Sequence, residues 1–206
     1  MKKILTAPYI DQTRRWVYGC ESISAVMLLQ YLGVDMDPDT FIDTCLPRGF
    51  SIGEGENMVA PDPMYQYINE PRDLTGWGCY APCIVTALEN ALTAAGQADR
   101  YTVVDATGCT AAQLCEQYID KGLPVVFWAT LNFEPSETVS RWTLPDGRPF
   151  VWKDHEHCLL LVGYDDESFW FNDPWQNRGC CPCPRALAEQ RHAEQGMYAV
   201  AIVPKV

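Results

Sequence analysis

The chain changes period partway along, and that change most restricts the folds open to it. Before about residue 100 the apolar runs have helical spacing; beyond it they shorten and read mostly as strands. In Glu21–Leu32, apolar Ile23, Val26, Met27, Leu29 and Leu32 fall at helical intervals, and Gly33 closes the run. A second short helix is expected over Asp39–Cys45, entered through Asp37-Pro38, and a third over Cys83–Ala95, between Pro82 and Gly96. Strands are expected at Tyr101–Asp105, Pro124–Leu131, His157–Tyr164, Ser168–Asn172 and Gly196–Val203, with helices over Ala111–Lys121 and Pro184–Glu194. Pro145-Asp146-Gly147 predicts the turn of a hairpin over Trp142–Trp152. Helices first, then mostly antiparallel strands, predict an α+β fold with an N-terminal helical layer packed on an antiparallel sheet.

The 206 residues suit one domain over residues 1–206. Residues 1–18 read as an extended lead-in, and 46–82, rich in Gly, Pro, Asn and Asp, as a long irregular segment of the kind that borders clefts. A hydrophobic fraction of 48% supplies a core and argues against disorder. Fifteen basic against 27 acidic residues give a net charge of −12, which disfavours nucleic-acid phosphates and anionic lipid as partners. No apolar run approaches the roughly 18 residues that span a bilayer, so membrane insertion is not expected. Met1–Leu5 imitates the start of an export signal, but Pro8 and Asp11 interrupt it. The sequence as it stands reads as cytoplasmic, with a secreted or cell-surface address as the reading for a trimmed chain. The oligomeric state is not specified.

Ten cysteines are many, but they are unevenly spaced and several lie in apolar runs, where a free thiol acts as a small hydrophobe. Mostly reduced thiols are expected, with disulfides as the competing reading. Cys180-x-x-Cys183 with Cys79-x-x-x-Cys83 offers four thiolates to a structural zinc ion, at spacings that are weak pair signatures. No metal or cofactor is expected.

Four residues carry the candidate chemistry. Cys20 stands where the first helix begins; unpaired N–H groups and the positive end of the helix dipole favour the thiolate there. His157 opens the apolar strand HCLLLVGY about 137 residues later, a long separation suited to a cysteine–histidine pair. Asp173, after the strand SFWFN, is placed to accept the second ring N–H of the histidine and fix its tautomer. Gln12 offers a side-chain amide to an oxyanion beside the Cys20 N–H. Each has a plainer reading: a buried thiol, a structural histidine, an Asn-Asp-Pro turn, a solvated glutamine. His155 rivals His157, and Cys79 and Cys83 rival Cys20. Trp142 and Trp152 flank a hairpin that forms either a cleft rim or a surface decoration.

The run Gly19-Cys20-Glu21-Ser22-Ile23-Ser24-Ala25-Val26-Met27-Leu28-Leu29-Gln30-Tyr31-Leu32-Gly33 resembles the nucleophile helix of the bacteriocin-processing (double-glycine) peptidase-like family. His157–Asp166 followed by Asn172-Asp173-Pro174 resembles its histidine block, and Gly76–Pro82 and Gly122–Val126 are also similar to it. The resemblance implies a papain-like fold, Cys20 as nucleophile, His157 as base, Asp173 as orienting residue and Gln12 as oxyanion donor. It further implies a cysteine peptidase acting on a peptide or protein substrate. Glu21 departs from the Gly-Pro that follows the cysteine in many members, and its charge beside the thiolate tends to raise the thiol pKa. That departure supports an alternative, an inactive peptide-binding domain; an amidase or transglutaminase-type transferase would show the same triad.

Overall fold

The computed structural model of the protein describes residues 2–205; Met1 and Val206, the ends of the expected domain, lie outside the described residues. The chain runs β1 (Lys3–Ile4), α1 (Cys20–Tyr31), α2 (Pro38–Thr40) with a π-helical turn at Phe41–Cys45, β2 (Arg48–Gly49) and β3 (Tyr67–Ile68). It continues through α3 (Ala81–Ala94), β4 (Tyr101–Asp105), α4 (Ala111–Gln117), β5 (Val125–Thr130), β6 (Val139–Thr143) and β7 (Pro149–Lys153). The remaining elements are β8 (Glu156–Tyr164), β9 (Ser168–Asp173), β10 (Gly179–Pro184), α5 (Arg185–Glu194) and β11 (Ala199–Pro204).

Seven strands form one sheet in the order β10-β9-β8-β5-β11-β4, with β1 added on β8, and every pairing in it is antiparallel. The N-terminal helices pack against this sheet, giving the expected α+β fold with its papain-like arrangement. Alternate residues of the central strands feed two cores. Val126 and Trp128 of β5, with Cys158, Leu160 and Val162 of β8, join the side chains of α1 and α3. Val125, Phe127, Leu159 and Leu161 join those of α4 and α5 on the other face. Helices therefore cover both faces, one layer more than the single layer expected. A strand covered twice loses its apolar–polar alternation, which is why β5 is buried at every position.

Local chemistry sets most boundaries. Asp37 accepts the Thr40 N–H at 3.0 Å and starts α2 at Pro38, and Thr110 and Gln113 form a reciprocal capping box at α4. β1 escaped the sequence reading because two residues carry no period. It is admitted at Gly163, where a Cβ would stand 2.3 Å from the Lys3 carbonyl oxygen. β10 was hidden by its composition, Gly-Cys-Cys-Pro-Cys-Pro. It lies at the edge of the sheet, the place where proline is tolerated in a strand.

The irregular 46–82 segment contains the short parallel pair β2–β3. The β6–β7 hairpin is longer than expected, and it is no surface decoration. Trp142 and Trp152 are 3% and 4% exposed; Trp142 meets Trp77 edge-on at 5.2 Å, and Trp152 stacks on Tyr80 at 5.0 Å.

Leu160 lies in the middle of β8 with no exposure. Leu160→Ala is expected to cost about 2–5 kcal/mol, read as a lower urea midpoint with an unchanged slope; an unchanged midpoint would contradict this account of the core.

Candidate active site

Cys20 is the first residue of α1, and no side chain caps that helix end. One turn along, the Ser24 hydroxyl donates to the Cys158 carbonyl at 3.2 Å, tying the start of the helix to the strand that carries His157. Sγ donates to Glu21 Oε2 at 3.3 Å. Burial pushes the Cys20 thiol well above its ordinary pKa, and the carboxyls of Glu21 and Glu156 push it further. Of the two opposed influences expected at this position, desolvation and the neighbouring acid outweigh the helix end.

Glu21 has no exposed surface. Its Oε1 accepts the Cys79 N–H at 2.7 Å, and burial raises its carboxyl to about 7. Gly78 makes this approach possible: a Cβ there would stand 2.6 Å from Glu21 Oε1 and 2.9 Å from the Trp152 ring. Glu156, at the start of β8, is raised well above the usual carboxylate value by burial and by Glu21. Its Oε1 is buried without a hydrogen-bond partner among the described residues.

On the opposite wall, His157 Nε2 lies 2.8 Å from Asp173 Oδ1. The β8–β9 register aligns Leu160 with Asn172; continued by one residue, it sets Asp173 diagonally across from His157 on the same face. Asp173 also accepts the Trp175 N–H at 3.0 Å and an Arg178 guanidinium N–H at 3.3 Å. Burial alone would raise its pKa. The bond and charge of His157, with the Trp175 N–H and Arg178, outweigh burial and hold the carboxyl below its usual range. Asp173 closes β9 rather than sitting in a free turn. With Nε2 occupied, the Nδ1 atom of His157 is the ring nitrogen left for the cleft.

Gln12 is buried, not solvated. Its backbone N–H donates to the Pro174 carbonyl at 2.9 Å, so the lead-in is fastened beside Asp173. One side-chain N–H goes to the Val17 carbonyl at 3.1 Å, which leaves the second amide proton free of that contact.

Gln12, Cys20 and His157 line one cleft of 570 Å³, walled by Trp77, Trp152 and Trp175 and bordered by Glu156. Asp173 stands behind His157. His155 also lines the cleft, but it is exposed in the β7–β8 turn at φ 61°. Cys79 and Cys83 are fully buried and do not line the cleft. All ten cysteines are free thiols. Among the described residues, three or more thiol, imidazole or carboxyl groups gather within 4.8 Å only at Cys20, Glu21 and Glu156, so the two cysteine pairs do not converge. The sequence reading missed Glu156. Its signal was period-2 alternation, which sends Glu156 and Cys158 to the side of the sheet that faces α1.

An antiparallel sheet, a helix that begins on a cysteine and a histidine–aspartate pair across a cleft define a papain-like architecture. Residues 4–191 match the Peptidase_C39 like family, and the chain belongs to that family. It is similar to the uncharacterized protein YvpB of Bacillus subtilis, with 30% identity over 188 residues, covering 89% of this chain and 68% of YvpB. It also matches the crystal structure of a candidate C39-like peptidase from Bacillus anthracis with a TM-score of 0.85 and 25% identity, over 100% of this chain and 98% of that one.

The depressed Asp173 carboxyl has a consequence for stability. A folded-state pKa below the unfolded value contributes stability that is fully present above the unfolded value and is lost as pH falls from there through the depressed folded value. Asp173→Asn is therefore expected to flatten the loss of urea stability below about pH 4. An acid limb as steep as that of the unmodified protein would contradict this assignment.

Proposed function

We propose that the protein is a cysteine peptidase in which Cys20 attacks, His157 moves the proton, Asp173 orients the imidazole and Gln12 helps hold the oxyanion. The observation that carries this reading is the buried 2.8 Å contact between His157 Nε2 and Asp173, on a cleft that Cys20 and Gln12 share. Membership of the C39-like family supports it.

In the proposed reaction His157 Nδ1 takes the Cys20 proton, and Sγ attacks the carbonyl carbon of a peptide or isopeptide bond. The Cys20 N–H and the free Gln12 amide proton stabilise the oxyanion. The C–N bond breaks as His157 returns the proton to the leaving amine, and the thioester remains. Water, activated by His157, then releases the acid. A cleft of 570 Å³ walled by tryptophans suits an extended peptide with apolar side chains. Among the described residues no helix is long and apolar enough to cross a membrane.

One observation favours a second reading, a peptide-binding domain without turnover: Cys20 donates to an acid rather than standing as a thiolate. Hydrolysis of a peptide library and iodoacetamide labelling separate the two. Cys20→Ala is expected to abolish hydrolysis, and His157→Ala to lower kcat/KM by at least about 10³-fold. Labelling should concentrate on Cys20. Equal, slow labelling of all ten cysteines, with no hydrolysis, would sink the peptidase reading.

A further inference from the structure

The carboxyls of Glu21 and Glu156 are assigned no part in the reaction above, yet both stand beside its sulfur. Glu21 Oε2 is 3.3 Å from Sγ, and the Cys20 sulfur and one carboxyl oxygen each of Glu21 and Glu156 all lie within 4.8 Å of one another. Among the described residues no lysine or arginine pairs with either acid; Glu21 is met by the Cys79 N–H and the Cys20 thiol, and Glu156 Oε1 by nothing. The other titratable groups around them are the thiol of Cys79, ahead of α3, the thiol of Cys158 on β8, and the phenols of Tyr67 on β3 and Tyr80. Asp154, His155 and His157 lie on the cleft side. Two buried carboxyls without a cation do not both ionise, because each charge lacks solvent and repels the other.

We propose that Glu21 is a positioning residue for the nucleophile: held protonated by burial, its acid form donates from Oε2 to Sγ once the thiolate forms, and its ionised form returns Cys20 to the unreactive thiol. This rests on the peptidase reading above. No bond changes beyond the proton already passed from Cys20 to His157; the Glu21 proton stays on its carboxyl and is shared with the sulfur. Once the pair gives up that proton, a carboxylate faces Sγ at hydrogen-bond distance, and the thiolate is destabilised by like charge.

The sign follows. The Glu21 carboxyl is raised to about 7, so the reactive form exists below that pH and is lost above it. This is the reverse of an ordinary thiol, whose alkylation quickens as pH rises.

The test is the rate of iodoacetamide alkylation of Cys20 from pH 5 to pH 9 in the unmodified protein, Glu21→Gln and His157→Ala, with the labelled cysteine identified by mass spectrometry. In the unmodified protein the rate should fall about tenfold for each pH unit above the transition. Glu21→Gln keeps a donor amide but has nothing to titrate, and should lose that descending limb. Superimposable profiles for the unmodified protein and Glu21→Gln, with His157→Ala still slowed, would overturn the proposal and leave the peptidase reading standing. A Cys20 that reacts like a free thiol in all three proteins would overturn both. Infrared spectroscopy of the unmodified protein needs no variant: a protonated-carboxyl band should persist at pH 6 and diminish through pH 8, and its absence at pH 6 would also overturn the proposal.

Discussion

The pairing of β8 with β9 is the constraint on which the rest of the molecule depends. It sets His157 and Asp173 diagonally on one face, and their 2.8 Å contact closes only in that register. A slip by one residue would turn every side chain of β8 to the opposite face. It would exchange Leu159 and Leu161 for Cys158 and Leu160, and so mismatch two cores at once. The hydrophobic pattern that stabilises the sheet is therefore the same pattern that holds the imidazole in place.

The two walls of the cleft are held by different physics. The histidine wall is polar and its acid is well paired: Asp173 gathers an imidazole, a backbone N–H and a guanidinium. The cysteine wall is poor in partners. Cys20, Glu21 and Glu156 sit close together among aromatic rings, with no cation paired to them among the described residues, and burial shifts all three towards their neutral forms. An unpaired buried polar group costs about 1–3 kcal/mol, so the protein gives up stability at this wall. Buried polar groups held at such a cost are concentrated at functional sites.

Much of this was legible in the residues. α1 is legible by its helical period, α3 by the Pro82 and Gly96 that bound it, and β5, β8 and β9 as short apolar runs. Cys20 and His157 could be singled out because each opens such an element. The α+β class followed from element order. What stayed hidden had no local signature. β1 has two residues, and β10 looks like a cysteine cluster. The burial of Gln12 depends on the Pro174 carbonyl, 162 positions further along the chain. Glu21 was noticed as a disturbance to the thiol, but its partner Glu156 could be found only by asking which face of β8 looks towards α1. Contacts between distant segments are set by packing, which no short window of sequence contains.

The chain builds its cleft from both ends. The lead-in is bound by Asn172, whose side-chain amide donates to the carbonyls of Ala7 and Pro8 at 3.2 and 2.9 Å, and β1 pairs with the far end of β8. A ribosome therefore releases the thiol and the amide before it has made the imidazole and its acid. Until β8 and β9 emerge and pair, no two of the opposing groups share a surface.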